Sequence, residues 1–579
     1  MSILEKEKLE FKPLRCTTLH DSELPLQQIY AGEQFRAAQL LFSQPVHGRV
    51  KEWTWGSAIL EARRMAGWLK AQGWPPGSRV VILSKNCAWW LMADFAIWMA
   101  GHVSVPFFPA ASSATLETLF RHSQPVACFL GQFDHPLPFG EEVFGQMACI
   151  TFPTFSGQAM VRSTTAWEQI VAHTEPLEGH PCRTGDEIAT IIYTSGTTGL
   201  PKGAMHSFQS LSLMGKSMEP AFGGLARGGD RIVSYLPLAH IAERAIVEMN
   251  ALFMPLHIFF AESQETFLVD LERARPTLFF SVPRLYIRFQ QKVFDKVPES
   301  RLNRLLKIPL LSAIVRKVLR SRLGLDCTRI VAGGGAATPV ETILWYRKLG
   351  LNFIEGYGMT ETGITHVPLP GRDRVGYVGT ASQYAKTRIS PDGEVQIKGP
   401  MNMTGYYRSP ELTREAFTED GYFHTGDHGA IDAQGRLRLI GRLKEEFKTA
   451  KGKFVVPSRI EELLMLSAFF ETSAIFGSGM TMPFAIAVLV PEKRRELSAQ
   501  EDREEVEREL LRVLDHVNAH LEPHERLRSI VVCMEPWTTA NGLITPTLKV
   551  RRSAIEQQYA PHFKEWERCD RRVIWVEGL

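Results

Sequence analysis

Short, nearly continuous apolar runs alternate with amphipathic stretches through most of this chain. Arg79–Leu83 (RVVIL) reads as a strand, followed by an apolar helix over Trp89–Ala100. Ala189–Tyr193 (ATIIY) reads as a strand that enters a loop of Gly, Thr and Ser. Arg231–Leu236, Thr277–Val282, Thr328–Ala332 and Asn352–Glu355 have the character of further buried strands, each near a helical segment. Alternation of this kind predicts α/β layering with largely parallel sheets.

Near Arg436–Leu443 (RLRLIGRL) the pattern changes. Beyond it the residues predict one strand, Phe484–Val490 (FAIAVLV), and a charged, helix-rich stretch over Pro491–His520, in a compact, loop-rich tail. The expectation is an α/β fold. Residues 1–441 would form a large N-terminal domain of layered sheets flanked by helices, and 442–579 a small, mobile α+β C-terminal domain. No internal repeat or low-complexity segment interrupts this reading.

The most apolar stretch, Cys87–Ala110, carries Asp94, His102, Pro106 and Pro109. A membrane-spanning helix needs about 20 residues with few polar breaks. The stretch is therefore expected to be a buried helix, Ala88–Gly101, running into a strand around Val103–Phe107.

Composition narrows the field. With 579 residues, 44% hydrophobic and 22% charged, the chain can bury a sizeable core. Lys and Arg number 66 against 63 Asp and Glu, a formal net charge of +3. That balance argues against a protein built to hold nucleic acid, although it does not exclude a local patch. One basic region stands out between Arg284 and Arg322, where Arg and Lys interleave with Leu, Ile, Phe and Val. Two readings fit it: a helix lying on an anionic membrane surface, and a solvated helix face that covers the core. The eight cysteines show no CxxC pair and no metal-like clustering, as reduced thiols in a cytoplasmic protein would. The opening residues, MSILEKEKLEFKPLRC, lack the apolar run of a secretory signal.

The sharpest chemical feature is the segment YTSGTTGLPKGAMHS, Tyr193 to Ser207. A strand ends in Thr194, Ser195, Gly196, Thr197 and Thr198, followed by Gly199 and Lys202. Hydroxyls and backbone N–H groups at this density can surround phosphate oxygens, and Lys202 adds a point charge. A P-loop is the competing reading. Counting from Gly196, however, Pro201 stands where its second Gly belongs, and Gly203 stands where its Mg²⁺-binding hydroxyl belongs.

Further segments carry compatible chemistry. In EGYGMTET, the ring of Tyr357 can stack on a purine, Thr360 can donate to a phosphate, and Glu361 offers a hard oxygen to Mg²⁺. Together these segments resemble the adenylate-forming superfamily of acyl-CoA synthetases, luciferases and peptide-synthetase adenylation domains. The resemblance runs from the Arg79–Pro109 segment to Lys549. It implies that AGGGAATP (Gly334, Gly335 and Ala336 within it) forms an adenine wall, with Glu355, Tyr357 and Gly358 also at the nucleotide. Asp427, in YFHTGD, would take the ribose hydroxyls, with Arg442 nearby and Lys444 at an interdomain hinge. KTAKGK, from Lys448, resembles the family's thioester-forming strand and turn, although Lys451 and Lys453 fit a plain surface loop equally well. Lys549, in NGLITPTLKVRR, matches the catalytic lysine.

Within that superfamily, RVVILSKNCAWWLMADFAIWMAGHVSVPFFP, LPLAHIAER and NGLITPTLKVRR are most similar to long-chain fatty acyl-CoA synthetases. His240 would line the carboxylate end of the acyl site. The helix Ile241–Met254 and Phe279–Phe280 are apolar enough to wall an alkyl tunnel. The chain departs from the pattern in two places: its adenine wall lacks the usual Ser and early Pro, and Glu445 and Glu446 stand where Asp and an aliphatic residue are common. The expected activity uses ATP, Mg²⁺ and CoA to turn a fatty acid into acyl-adenylate and then acyl-CoA. The alternatives are an acyl-AMP ligase that loads a carrier protein, and an acid–CoA ligase for a non-fatty carboxylate. No stable protein partner is evident. Peripheral contact with the inner face of a membrane through 284–322 stays open.

Overall fold

The computed structural model describes residues 19–133, 144–145, 147–155, 164–195, 201–222, 229–497, 500–545 and 548–577. Gly196, Thr197, Thr198 and Gly199 of the phosphate loop lie outside the described residues, as does the N-terminal segment read above for a signal.

Two large sheets carry the N-terminal region. One has seven strands in the order Asn352–Glu355, Ile330–Gly333, Leu278–Ser281, Asp230–Ser234, Leu256–Phe260, Leu40–Val46 and Arg49–Thr54, all parallel except the last. The other has eight. Its parallel core is Ile188–Ser195, Val103–Phe107, Arg79–Leu83, Ala127–Leu130, Ala148–Thr151 and Thr164–Ala166. Pro201–Ser207 and then Gly405–Tyr406 extend it antiparallel at one edge. Strands buried on both faces need apolar residues at every position, which is why these runs are nearly continuous in sequence.

The helix Ala88–Met99 contacts strands of both sheets, and every one of its residues is buried. Its uniform apolarity thus serves a core. Among the described residues no helix is long and apolar enough to cross a membrane. The charged break in this helix, Asp94, is met by Arg244, which also bonds Glu248 at 2.9 Å and the Thr190 hydroxyl at 2.7 Å. All of these side chains are fully shielded from solvent.

The expected helix over Ile241–Met254 needs correction. It is α-helical over Ile241–Glu243 and Asn250–Phe253, but widens to π-helical geometry over Arg244–Met249. The basic stretch is also not one helix. It folds as three, Pro283–Lys296, Glu299–Leu305 and Pro309–Arg322.

Strand Leu437–Arg442 closes a four-stranded antiparallel sheet with Phe423–Ile431, Glu394–Lys398 and Lys386–Ile389, and a single 3₁₀ turn, Leu443–Glu445, then leads into the tail. The tail corrects the sequence reading most. It contains a four-stranded mixed sheet, Phe470–Phe476, Phe484–Leu489, Ile530–Cys533 and Val573–Val576, where one strand was expected. Alternate residues of Phe484–Leu489 enter opposite cores. Ala485, Ala487 and Leu489 pack with the helices Pro457–Met465 and Gln500–Ala519, while Phe484, Ile486 and Val488 pack with Arg552–Tyr559 and Phe563–Arg568.

Candidate active site

Open parallel sheets place ligands beyond the carboxyl ends of their strands, and strands Ile330–Gly333 and Asn352–Glu355 of the seven-stranded sheet run directly into AGGGAATP and EGYGMTET. Gly335, just beyond strand Ile330–Gly333, has φ +80°, and Gly335 and Ala336 are exposed while Gly334 is buried. The loop is held from below, because the Thr338 N–H donates to Glu355 Oε1 at 2.7 Å. Glu355 thus braces the wall, and its burial pushes its pKa above the ordinary carboxylate value.

After Glu355 the chain turns through Gly356 into Tyr357–Met359, which pairs antiparallel with Gly363–Val367. The two strands cross so closely at Gly358 that a Cβ there would lie 2.1 Å from the Gly363 carbonyl oxygen. Only glycine fits. This tight hairpin presents Thr360 and Glu361, both buried. The Thr360 carbonyl oxygen is 2.6 Å from His206 Nε2, and the Glu361 carboxylate accepts the Tyr406 hydroxyl at 3.0 Å.

Asp427 lies on strand Phe423–Ile431 directly opposite Arg442. Its carboxylate accepts the Tyr357 hydroxyl at 2.6 Å and pairs with Arg442 Nε at 2.8 Å. Burial pushes Asp427 above the ordinary carboxylate range, while Arg442, Tyr357 and Lys549 pull it back. Tyr357 therefore offers more than a ring face: its hydroxyl fixes the carboxylate.

Lys549 comes from the tail, on a turn closed by hydrogen bonds between Thr545 and Lys549. Its side chain keeps access to solvent, as a cleft-lining group does, yet protein crowds it on several sides. That crowding and the Arg442 charge lower its pKa, while Asp427 and Glu361 raise it. The same ammonium acts on His240, whose pKa is pushed down to about 3, chiefly by burial and then by Lys549. His240 caps the turn Ile241–Glu243 by accepting the Ala242 N–H on Nδ1 at 3.1 Å. The ring is therefore neutral with its proton on Nε2, a donor suited to an anionic oxygen. One cleft thus collects Lys549, Asp427, Arg442, Tyr357, Glu361 and His240.

Other sequence-identified residues sit further out. Thr194 and Lys202 face each other across the hairpin of Ile188–Ser195 and Pro201–Ser207, and Lys202 Nζ lies 5.3 Å from the Tyr406 ring centroid. Ser195 ends its strand. Lys444 and Lys448 are exposed, the latter with Nζ 4.7 Å from the Phe454 ring centroid. The unusual Glu446 has Oε1 2.6 Å from His428 Nδ1, and Glu445 lies 3.6 Å from Arg552 Nε.

Sequence reasoning missed Tyr406 and His206. Tyr406 links Lys202 to Glu361 and His206 holds the Thr360 turn, but each partner is remote in the chain, so no local pattern marks either residue.

These features define a two-part α/β protein with polar groups gathered at the ends of parallel strands, and solved structures share that architecture. The adenylation domain of a carboxylic acid reductase from Segniliparus rugosus, solved with AMP and a co-purified carboxylic acid, superposes with a TM-score of 0.76 at 20% identity, covering 94% of each chain. MatB from Rhodopseudomonas palustris, solved with ATP, gives 0.71 at 22% identity, over 93% of this chain and 99% of that one. The family model for AMP-binding enzymes matches residues 32–407, and that for the AMP-binding enzyme C-terminal domain matches 446–566. The chain belongs to the AMP-binding enzyme family. Among curated proteins it is 28% identical to the peroxisomal long chain acyl-CoA synthetase 6 of Arabidopsis thaliana, over 94% of this chain and 85% of that protein. It is 29% identical to a long-chain-fatty-acid–CoA ligase of Mycobacterium bovis, over 90% of this chain and 93% of that one.

Proposed function

We propose that this protein is a long-chain fatty acid–CoA ligase that works through an acyl-adenylate. A fatty carboxylate oxygen attacks the α-phosphorus of ATP, forming the acyl–phosphate bond and expelling pyrophosphate. The thiol of CoA then attacks the acyl carbonyl, forming the thioester and releasing AMP. Oxide is a poor leaving group, and the first step exchanges it for AMP.

The observation that carries this reading is the convergence of Lys549, from the tail, on Asp427, Glu361 and His240. In our assignment Asp427, locked by Tyr357 and Arg442, receives the two ribose hydroxyls. Gly334, Gly335 and Ala336 face the adenine. Thr194, Ser195, Lys202 and the loop between them hold the phosphates. Neutral His240 donates from Nε2 to the acid, and Thr360 donates to the α-phosphate. Lys549 places its ammonium where negative charge builds up during attack, where a preorganised donor lowers the barrier most.

Glu361 is the group we assign to Mg²⁺. Among the described residues no three His, Cys, Asp or Glu side chains cluster as a protein-made metal cage. A single buried carboxylate nevertheless suits Mg²⁺, which keeps several waters and takes other ligands from substrate phosphates. When bound, the ion would neutralise phosphate charge.

For the second step we propose that the part beyond Arg442 turns about Lys444, withdrawing Lys549 and bringing the Lys448 side to the acyl end, as domain closures commonly do. We assign the protein to the cytoplasm, where its scattered cysteines would stay reduced. The test is to incubate the protein with ATP, palmitate and CoA. Palmitoyl-CoA, AMP and pyrophosphate in equal amounts are expected. Pyrophosphate without thioester would point to another acceptor, and turnover only with short or aromatic acids would remove the fatty-acid assignment.

A further inference from the structure

The helix Pro309–Arg322 buries only Ser312 completely, and its outward face is apolar. Leu310 is 86% exposed, Ile314 60% and Val318 51%, and Ile308, just before the helix, is 52% exposed. The spacing of Leu310, Ile314 and Val318 puts them in one row along the helix. Such large side chains are normally scattered singly on a protein surface, whereas a contiguous row marks an interaction site.

The row has a basic border. Between Arg301 and Leu325 the chain carries Arg301, Arg304, Lys307, Arg316, Lys317, Arg320 and Arg322 and no acidic residue. Lys317 lies beside the row, Arg322 continues it by one further turn, and Arg316 stands round toward the far side of the helix; all three are exposed. Arg320 donates to the backbone oxygen of Asp326, and among the described residues none of the seven pairs with a carboxylate. The nearest carboxylate beyond the stretch, Asp326, is paired with Arg275 at 2.5 Å.

We infer that this face docks on the surface of an anionic lipid bilayer, with Ile308, Leu310, Ile314 and Val318 entering the headgroup–acyl boundary and the flanking Arg and Lys contacting phosphates. An amphipathic helix with an apolar row and a cationic border is the form that lies in the plane of such an interface. A second copy of the chain fits less well, because a two-fold contact through this row would set the basic borders against each other. The inference stands apart from the carboxylate chemistry of the cleft, since none of these residues lines it, and binding can be read without turnover.

The test sediments the full chain with vesicles of phosphatidylcholine alone, or with about a third phosphatidylglycerol, at low and high salt. Wild type should bind the anionic vesicles at least about tenfold more tightly than the neutral ones, and high salt should weaken that binding. Leu310→Ser with Ile314→Ser, and separately Lys317→Glu with Arg322→Glu, should each weaken anionic-vesicle binding about tenfold or more. Both pairs are exposed, so their melting temperatures should match wild type, which separates lost docking from lost folding. Equal binding to both vesicle types, or no binding, overturns the inference. So does wild-type binding by the serine variant, which would leave only nonspecific charge attraction. Self-association abolished by these substitutions would assign the face to a second copy instead.

Discussion

The protein handles charge in opposite ways in its two regions. Between the two large sheets, Asp94 of the helix Ala88–Met99 and Arg244 and Glu248 of the π-helical stretch Arg244–Met249 are sealed from water. Such a cluster tolerates only one arrangement, because separating its members would leave bare buried charges. Where the tail meets the N-terminal region, the ties are partly exposed. Arg284 pairs with Glu471 at 2.9 Å, and Glu446 meets His428 at 2.6 Å. Glu462 of the tail helix even faces Glu355 and Glu341 of the N-terminal region, and burial together with those charges pushes its pKa up to about 7. The first region is built to stay as it is. The second is held by contacts that cost little to break, as our proposal that it delivers Lys549 and then withdraws it requires.

The sharpest way to break this comparison is to attack the sealed charges. Arg244→Leu strands two buried carboxylates and should cost about 3–5 kcal/mol of stability, read as a lower denaturation midpoint or as failure to fold. A loss of only a few tenths would show that the cluster is not the fixed element claimed here. Lys549→Ala comes next. Adenylate formation should fall about 10²–10³-fold, while thioester formation from supplied acyl-adenylate and CoA stays near wild type. An equal fall in both half-reactions would remove the role given to Lys549. Tyr357→Phe deletes one hydrogen bond to the Asp427 carboxylate and should raise KM for ATP about tenfold, with little change in melting temperature.

Much of the fixed region was legible in the chain, and the tail was not, for one physical reason. Arg79–Leu83 and Ile188–Ser195 are buried on both faces, so their composition alone marks them as strands. In the tail, Phe484–Leu489 shares that property and was found. Phe470–Phe476 (FETSAIF) was not, because Glu471 serves the tie to Arg284 and Ser473 interrupts the apolar pattern. Ile530–Cys533 and Val573–Val576 are too short to stand out from a loop. At the candidate site, residues that touch a ligand in our reading form local motifs: Tyr357, Glu361, Asp427 and Lys549 were all visible. The residues that brace them, Tyr406 and His206, find their partners far along the chain and carry no local signal. The outward turn of Leu310, Ile314 and Val318 was equally hidden, since a count of basic residues does not say which face is buried.

Two smaller effects sharpen the contrast at the junction. Glu462 has a pKa of about 7 in the folded protein, against 4.5 for an ordinary glutamate. A carboxyl raised in this way favours the folded arrangement fully below pH 4.5, and that contribution is lost as pH rises to about 7. Glu462→Gln should therefore flatten the pH dependence of the melting temperature between those values and raise stability at pH 8; an unchanged profile would mean the carboxylates do not face one another. Arg284→Gln breaks a tie with both partners about a third exposed, so it should shift stability by less than about 1 kcal/mol, measured by thermal unfolding. A larger loss would place this contact with the sealed charges.

The account depends most on the claim that the cleft joins an organic acid to the innermost phosphorus of ATP. Isotope exchange tests it without CoA or a coupled assay: purified protein is given ATP, Mg²⁺, labelled pyrophosphate and a panel of carboxylic acids from acetate through palmitate and oleate to aromatic acids. Label should enter ATP only when an acid is present, with the long-chain acids supporting the fastest exchange. No exchange with any acid on the panel, from protein shown to be folded, would contradict the claim.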